Sequence, residues 1–186
     1  LMTEDNTYNV RANIIHATLT LTLHERKLSF LFADAQQFIG RLKVLDIRLS
    51  QEFIRKTDAQ YYILEENDIR SRLLHRDDFS HKGNMGNALI IAGSYGMSGA
   101  AILATRACLR SGVGKATVHT PKKNYDIMQI SAPEAILQMD HEETAFTEAV
   151  DTDDFDALAI GPGLGRQEPT ATAMITQIRR AQCPIV

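Results

Sequence analysis

The chain has 186 residues, of which 44% are hydrophobic and 23% charged, and its formal net charge is −3. This composition is typical of a globular protein with a sizeable core, and the absence of a basic surplus argues against a general nucleic-acid binder. No apolar run approaches the roughly 18 residues of a membrane span, and no signal-peptide pattern is visible. The two cysteines lie far apart and outside any CxxC pattern, which predicts reduced thiols and a cytoplasmic protein.

The first part of the chain predicts two short strands. From Thr18 to Leu23 threonine alternates with leucine, and this period of two is typical of a half-buried strand. The segment "RLKVLDI" (Arg41–Ile47) predicts a second strand after Gly40. We expect both to close a sheet whose other strands lie upstream. The sequence turns polar and charged at residues 50–58, where we expect a domain boundary.

The rest of the chain alternates strands with helices. A short helix is predicted in "LEENDIRSR", where acidic residues precede basic ones. From His81 onward this alternation predicts an α/β fold with a mostly parallel sheet, in which ligands bind beyond the carboxyl ends of the strands. The predicted strands are "ALIIAG", "KATVHTP", "FDALAIG" and the start of one in "CPIV". The predicted helices are "SGAAILATRACLRSG", with Gly112 as its C-terminal glycine, and "EPTATAMITQIRRAQ", and "KKNYDIMQISAPEAIL" predicts a short helix followed by an extended stretch.

Two glycine-rich turns follow predicted strands and precede predicted helices. "GSYGMSG" (Gly93–Gly99) lacks the lysine of a GxxxxGK[ST] phosphate loop, and its GxxGxxG spacing differs from the GxGxxG dinucleotide fingerprint. "GPGLG" (Gly161–Gly165) lies at the same predicted sheet edge. Ser98 stands at a predicted helix N-cap, so free N–H groups would face the first turn. Tight packing could explain one such turn, but two at one edge favour a ligand site.

Three further features have competing structural explanations. The small residues Ala100, Ala104 and Cys108 predict a helix face that lies close to the sheet. The acidic run "DTDDFD" predicts a solvated loop before a strand rather than a metal site. His81 and Lys82, in "HKGNMG", could contact substrate, although a His or Lys in a loop is usually a solvated surface residue.

Taken together, these motifs resemble the NAD(P)H-hydrate dehydratases, a branch of the ribokinase-like superfamily. "HKGNMG", the following strand, "GSYGMSGAA", the alanine-rich helix, "SGVGKATV" and "GPGLG" stand in the order of the family pattern, over roughly Ile63–Val186. The preceding residues more weakly resemble the closing strands of an NAD(P)H-hydrate epimerase domain, which many bacteria fuse ahead of the dehydratase. Arg48 departs from that second pattern, in which glycine is usual.

The resemblance implies a fold, an activity and cofactors. Residues 56–186 would be the N-terminal part of a ribokinase-like dehydratase domain, and residues 1–55 the C-terminal end of a Rossmann-like epimerase domain. The implied function is repair of nicotinamide cofactors, in which water is removed from the (S)-hydrate of NADH or NADPH by phosphorylation of the ring hydroxyl and loss of phosphate. ADP or ATP with Mg²⁺ would serve the dehydratase, and K⁺ the epimerase that interconverts the two hydrate epimers.

The resemblance also implies which residues act. The family's catalytic base corresponds to sequence beyond Val186, so no catalytic residue and no metal ligand is expected here, and the 186-residue chain alone should have no measurable dehydratase activity. Hydrated NADH or NADPH is the expected partner, with no nucleic acid or membrane, and the longer protein is expected to form a homo-oligomer. The residues expected to contact the hydrated dinucleotide are Gly99, Ala100, Ala101, Gly161, Gly163, Gly165, His81 and Lys82.

Two alternatives remain open at this point. One is a ribokinase-like kinase of a small hydroxylated substrate such as a vitamin precursor, which would share the fold and the phosphoryl chemistry. The other is a nucleotide-binding module without catalysis. The combination of HKGxxG with GPGLG favours the dehydratase.

Overall fold

The computed structural model describes residues 10–186, and the polar start of the chain lies outside the described residues. The chain divides into two compact units, the first ending at Arg72 and the second running from Leu73 to Val186. This division falls later than the boundary predicted within residues 50–58, because the two short helices that follow residue 50 belong to the first unit. The assignment of the two parts to an epimerase and a dehydratase domain remains a prediction. Among residues 10–186, no helix combines the length and apolar character that a bilayer crossing needs.

Both predicted strands of the first unit are present. β1 (Leu19–Leu23) pairs in parallel with β2 (Arg41–Leu45), and the connection between them ends in a short helix, α1 (Gln36–Ile39). Gly40 leads from α1 into β2 with a φ of +59°, and a Cβ there would lie 2.2 Å from the carbonyl oxygen of Ala17. Only glycine fits this turn, because both the backbone angle and the space exclude a side chain.

Two short helices complete the first unit. α2 (Gln51–Lys56) begins where the hydroxyl of Ser50 accepts a hydrogen bond from the N–H of Phe53, at 3.3 Å. α3 (Glu66–Arg70) is the short charged helix predicted from the sequence. Single turns of 3₁₀ helix occur at Arg11–Asn13, Leu28–Leu31 and Ala33–Ala35.

The second unit contains a four-stranded sheet in which every pairing is parallel, as the alternation predicted. Its strands stand in the order β5-β4-β3-β6, so β3 lies between β4 and β6. The final segment "CPIV" adds an isolated parallel bridge from Ile185 to Leu158 on β6. The strands are β3 (Asn87–Ile91), β4 (Lys115–Thr120), β5 (Ile136–Met139) and β6 (Ala157–Ile160).

Helices cover both faces of this sheet. α4 (Ser98–Arg110) and α5 (Tyr125–Ser131) lie on the face that carries Ile90 and Val118, and α6 (Glu168–Arg180) lies on the face that carries Leu89 and Leu158. Residues in adjacent positions of β3 therefore enter different cores, as the period of two in a strand requires. Each core contains fully buried aliphatic side chains, and each such side chain contributes about 1.5–3 kcal/mol of hydrophobic stabilisation.

The packed side of α4 differs from the predicted stripe. Ala101 and Thr105 are fully buried, whereas Ala104 and Cys108 are only partly buried beside them. The hydroxyl of Thr105 donates a 2.7 Å hydrogen bond to the carbonyl oxygen of Ala101, which satisfies a polar group in the core. The predicted end of α4 is confirmed, because the helix stops at Arg110 and Gly112 follows with a φ of +101°.

Candidate functional site

The two glycine-rich turns meet at one edge of the four-stranded sheet. They follow β3 and β6, which are neighbouring parallel strands, so both leave the sheet at its carboxyl edge. The N–H of Gly93 donates to the carbonyl oxygen of Pro162 at 2.8 Å, and the hydroxyl of Ser94 donates to the carbonyl oxygen of Gly163 at 2.7 Å. The sequence analysis placed both turns at the same edge, and the structure joins them directly.

Gly163 is the position at which this junction requires glycine. Its φ is +70°, and a Cβ would lie 2.8 Å from the carbonyl oxygen of Met97 and 2.9 Å from the Cβ of Ala100. The second turn therefore packs its bare backbone against the start of α4. A side chain here would separate the two turns, since one of the contacted atoms belongs to the backbone and cannot rotate away.

Other glycines of the two turns face open space. A Cβ added to Gly96, Gly99 or Gly161 would meet no heavy atom within 4 Å. These positions leave backbone accessible to a ligand beside the junction. A Cβ added to Gly165 would lie 3.6 Å from the end of the Met97 side chain, which is ordinary van der Waals contact. A surface of exposed backbone N–H and carbonyl groups suits a polar, anionic ligand.

The start of α4 differs from the prediction in two details. Ser98 is the first residue of the helix rather than its N-cap, and the N-cap position is held by Met97, with no side-chain hydrogen bond. In the first turn of the helix, the N–H of Ala100 donates to the carbonyl oxygen of Met97 at 3.3 Å. Ala101 is fully buried in the core, so of Gly99, Ala100 and Ala101 only the first two retain surface for a ligand.

The structure does not bring His81 and Lys82 to the glycine turns. Both precede β3, at the amino edge of the sheet, where the carbonyl oxygen of Lys82 packs against Gly114. The Nδ1 of His81 accepts a 3.0 Å hydrogen bond from the N–H of Gly83, so this side chain stabilises its own turn. The length of β3 separates these residues from the carboxyl edge, which is why a motif close in sequence lies at the opposite end of the strand.

A third loop reaches the same carboxyl edge, and the sequence analysis did not identify it. The N–H of Tyr95, in the first glycine turn, donates to the carbonyl oxygen of Thr144 at 2.8 Å. This loop begins at Asp140, directly after β5, and its Phe146 is fully buried. The only signal in the sequence was an Asp that directly follows a short strand, which is too common to be specific.

A buried hydrogen bond between a histidine and a carboxylate holds this loop to the sheet. The Nε2 of His119, on β4, lies 3.2 Å from the Oδ2 of Asp140, and neither residue is more than 1% exposed. Asp140 also accepts 2.9 Å hydrogen bonds from the N–H groups of Glu142 and Thr147 and from the Thr147 hydroxyl. The ring of Phe146 meets His119 edge to face, with the ring centroids 5.6 Å apart. The carboxylate is thus saturated with hydrogen bonds, as a buried charge requires.

The pKa values of His119 and Asp140 are lowered in the folded protein, and that of His141 is raised. Burial lowers the pKa of His119, although its hydrogen bond to Asp140 favours the charged form. Burial alone would raise the pKa of Asp140, but the hydrogen bonds from Glu142, Thr147 and His119 outweigh it and lower that pKa. On the surface, the hydrogen bond to Glu148 raises the pKa of His141.

Asp140, His141 and Glu148 lie close enough for one cation to reach all three. The Nδ1 of His141 lies 2.9 Å from a carboxylate oxygen of Glu148 and 3.5 Å from one of Asp140. Mg²⁺ prefers oxygen ligands in octahedral geometry, and the oxygens of Asp140 already accept hydrogen bonds. The group is therefore an ion-pair cluster that does not fit Mg²⁺.

The fold and the paired glycine turns define an α/β protein of the ribokinase-like class. A ribokinase-like superfamily protein from Enterococcus faecalis superposes with a TM-score of 0.55 at 26% identity, over 68% of this chain and 45% of that one. The family model for NAD(P)H-hydrate dehydratase matches residues 88–186, which is more than half of the chain. The chain therefore belongs to the NAD(P)H-hydrate dehydratase family.

Individual relatives agree with this assignment. A bifunctional NAD(P)H-hydrate repair enzyme from Moorella thermoacetica is 32% identical over 183 residues, covering 92% of this chain and 34% of that protein. An ADP-dependent (S)-NAD(P)H-hydrate dehydratase from Bacillus subtilis is 37% identical over 65% of this chain and 43% of its own length. A crystal structure of the ADP/ATP-dependent dehydratase from Bacillus subtilis, co-crystallised with ATP and Mg²⁺, gives a TM-score of 0.54 at 35% identity, over 65% of this chain and 43% of that one. The chain spans less than half the length of these relatives.

Proposed function

We propose that this chain supplies the dinucleotide-binding edge of an NAD(P)H-hydrate dehydratase, which returns (S)-hydrates of NADH and NADPH to the usable cofactors. The observation that carries the proposal is the junction of the two glycine turns, in which Gly93 and Ser94 bond to Pro162 and Gly163. The junction lies within the part of the chain that matches the family model. Relatives that carry this activity in their names match 92% and 65% of the chain.

The residues of this chain would bind and orient the substrate. Gly99, Ala100, Gly161, Gly163 and Gly165 border the open side of the junction and present backbone groups to the hydrated dinucleotide. Ala101 supports them from within the core, whereas His81 and Lys82 would act only from the other edge of the sheet. No proton transfer is assigned to a residue of this chain.

The nucleotide requirement follows the relatives. One relative is named for its dependence on ADP, and another was crystallised with ATP and Mg²⁺. We propose that ADP or ATP with Mg²⁺ supplies the phosphoryl group that converts the ring hydroxyl into a leaving group. The residues that hold this nucleotide would lie outside the glycine junction.

The proposal also covers the first unit, the cellular compartment and the oligomeric state of the protein. Residues 1–55 would be the end of an epimerase domain that uses K⁺, as the sequence resemblance implies, and the relative from Moorella thermoacetica is named a bifunctional repair enzyme. A cytoplasmic homo-oligomer is proposed, and the two unpaired cysteines, Cys108 and Cys183, are in keeping with a reducing compartment.

A direct assay tests the proposal. The natural gene product that contains this chain is supplied with hydrated NADH, Mg²⁺ and either ADP or ATP, and recovery of NADH absorbance is followed. We expect recovery that depends on the nucleotide, and no recovery with the 186-residue chain alone. Absence of recovery with both nucleotides would contradict the proposal for the gene product, whereas phosphate transfer to hydroxymethylpyrimidine instead would favour the vitamin-precursor kinase. Binding of nucleotide without either reaction would favour a non-catalytic module.

A further inference from the structure

Two exposed side chains next to the glycine junction form a positively charged platform. Tyr95 belongs to the first glycine turn and is 68% exposed. The Nζ of Lys123, which follows β4, lies 5.0 Å from the centroid of the Tyr95 ring. A cation over an aromatic face is attracted by the ring, so Tyr95 restricts where the amine of Lys123 lies.

The backbones of both residues are fixed by the same loop. The N–H of Tyr95 donates to the carbonyl oxygen of Thr144 at 2.8 Å, and the N–H of Lys123 donates to the carbonyl oxygen of Glu143 at 3.1 Å. Adjacent residues of the loop after β5 therefore hold the two partners next to each other. A ligand that binds this platform does not need to organise it, which reduces the entropic cost of binding.

The charge of Lys123 is available to a ligand. The amine of its neighbour Lys122 donates a hydrogen bond to the carbonyl oxygen of His141, whereas Lys123 forms no salt bridge with a carboxylate within residues 10–186. Gly96 lies directly after Tyr95 and borders open space. The amine and the free backbone therefore face a region that a ligand can enter.

We propose that Lys123 binds a phosphate group of the hydrated dinucleotide, with Tyr95 as the positioning residue that holds its amine beside the glycine turns. The proposal rests on the proposed function, since that function names a substrate with phosphates. The glycine junction itself supplies only neutral backbone groups, and a lysine at its border provides the charge that a phosphate requires.

Binding measurements on the natural gene product test this assignment. Dissociation constants for hydrated NADH are compared between the wild-type protein, Lys123→Gln, Lys123→Arg, Tyr95→Phe and Tyr95→Leu. We expect Lys123→Gln to weaken binding about tenfold, because it removes a charged hydrogen-bond donor to the phosphate. Lys123→Arg and Tyr95→Phe should bind nearly as the wild type does, and Tyr95→Leu should lose about threefold.

The choice of substrate shows which phosphate is bound. Equal losses for hydrated NADH and hydrated NADPH assign the pyrophosphate, and a loss confined to hydrated NADPH assigns its additional phosphate. Both outcomes support a phosphate role. Unchanged binding of both substrates by Lys123→Gln would overturn it, as would a change in the KM for ADP or ATP alone.

Arg110→Gln is the matched control, because it removes one positive charge at the far end of α4, and it should bind both substrates normally. If Arg110→Gln weakened substrate binding as much as Lys123→Gln does, the effect would come from the change in net charge, and the assignment of Lys123 would be overturned. The dehydration assay is run in parallel. A wild-type protein that binds hydrated NADH but does not dehydrate it would contradict the proposed function alone, and one that binds neither substrate would contradict both proposals.

Discussion

At the scale of single residues, two glycines of the same site have opposite requirements. Gly163 has no room for a Cβ, because the backbone of Met97 and the side chain of Ala100 lie within 3 Å of where it would stand. Gly99 has no neighbour within 4 Å of its own Cβ position and lies inside a helix. The first glycine is needed for the fold of the junction, and the second leaves open space beside the start of α4.

Substitution by alanine separates these two requirements. Gly163→Ala should lower the free energy of unfolding of the chain by about 1–3 kcal/mol, because it combines a positive φ with a backbone clash. Gly99→Ala should leave that free energy unchanged or raise it by up to about 1 kcal/mol, since alanine is the better helix former. Urea denaturation measures both. Equal stability of the two variants would show that the close approach at Gly163 is not maintained in solution.

At the scale of structural elements, the loop after β5 depends on a charge that its own sequence does not reveal. Asp140 is recognisable only once β4 and β5 are paired, because that pairing brings His119 to it. β3, β4 and β6 were predicted as strands, since their apolar residues and flanking turns are local signals, whereas β5 was predicted only as an extended stretch. The cap of α4 was predicted one residue late. Of the predicted stripe, Ala104 and Cys108 pack against the core, but the fully buried positions are Ala101 and Thr105, because helix phase depends on the sheet it meets.

The buried contact between His119 and Asp140 predicts that stability falls with acidification. The pKa of His119 is lowered in the folded state, so as pH falls below about 6.5 the unfolded chain takes up a proton first and stability decreases. The pKa of Asp140 is also lowered, so a further loss is expected below about 3.8, as pH falls through the folded-state value. His141 acts in the other direction, because its pKa is raised and its contribution is present at low pH and lost as pH rises.

Thermal unfolding between about pH 5 and 7, the range around the ordinary pKa of histidine, measures how stability changes with pH. His119→Asn should flatten the loss of stability on acidification, although its absolute stability is lower, and His141→Asn should steepen it. A wild-type curve that rises toward acid, or a His119→Asn curve of unchanged slope, would show that His119 is not held neutral in the folded protein.

At the scale of the whole molecule, the chain consists of two units joined by an exposed segment. Every residue from 55 to 79 is exposed, and this stretch includes the division at Arg72. The alternation of strands and helices, the parallel sheet and the position of both glycine turns were predictable from local sequence patterns. The strand order and the hydrogen bonds between the turns were not, because each depends on partners far away in the chain. The location of His81 at the opposite edge follows from its place ahead of β3, which the sequence prediction did not use.

The exposed segment predicts the course of limited proteolysis. Trypsin should cut first within this segment and leave a resistant product that contains the second unit, because that unit has its own parallel sheet and two buried clusters. The exposed cleavage sites of the segment are Arg55, Lys56, Arg70, Arg72 and Arg76. Mass spectrometry identifies the product. Replacing all five basic residues by glutamine should delay the cut, and degradation of both units at the same rate would contradict independent folding of the second.

The central position of β3 also determines when the carboxyl edge of the sheet, with its two glycine turns, can form during protein synthesis. β3 pairs with β4, which follows soon after it, but its other partner, β6, brings Ala157 opposite Ala88 across a long intervening stretch. Pairings between distant segments form late because more chain entropy is lost in closing them. During translation, the N–H of Gly93 and the hydroxyl of Ser94 would therefore lack their hydrogen-bond partners until Pro162 and Gly163 have been synthesised. In each newly made chain, this edge of the sheet would be incomplete and accessible to chaperones and proteases during that interval.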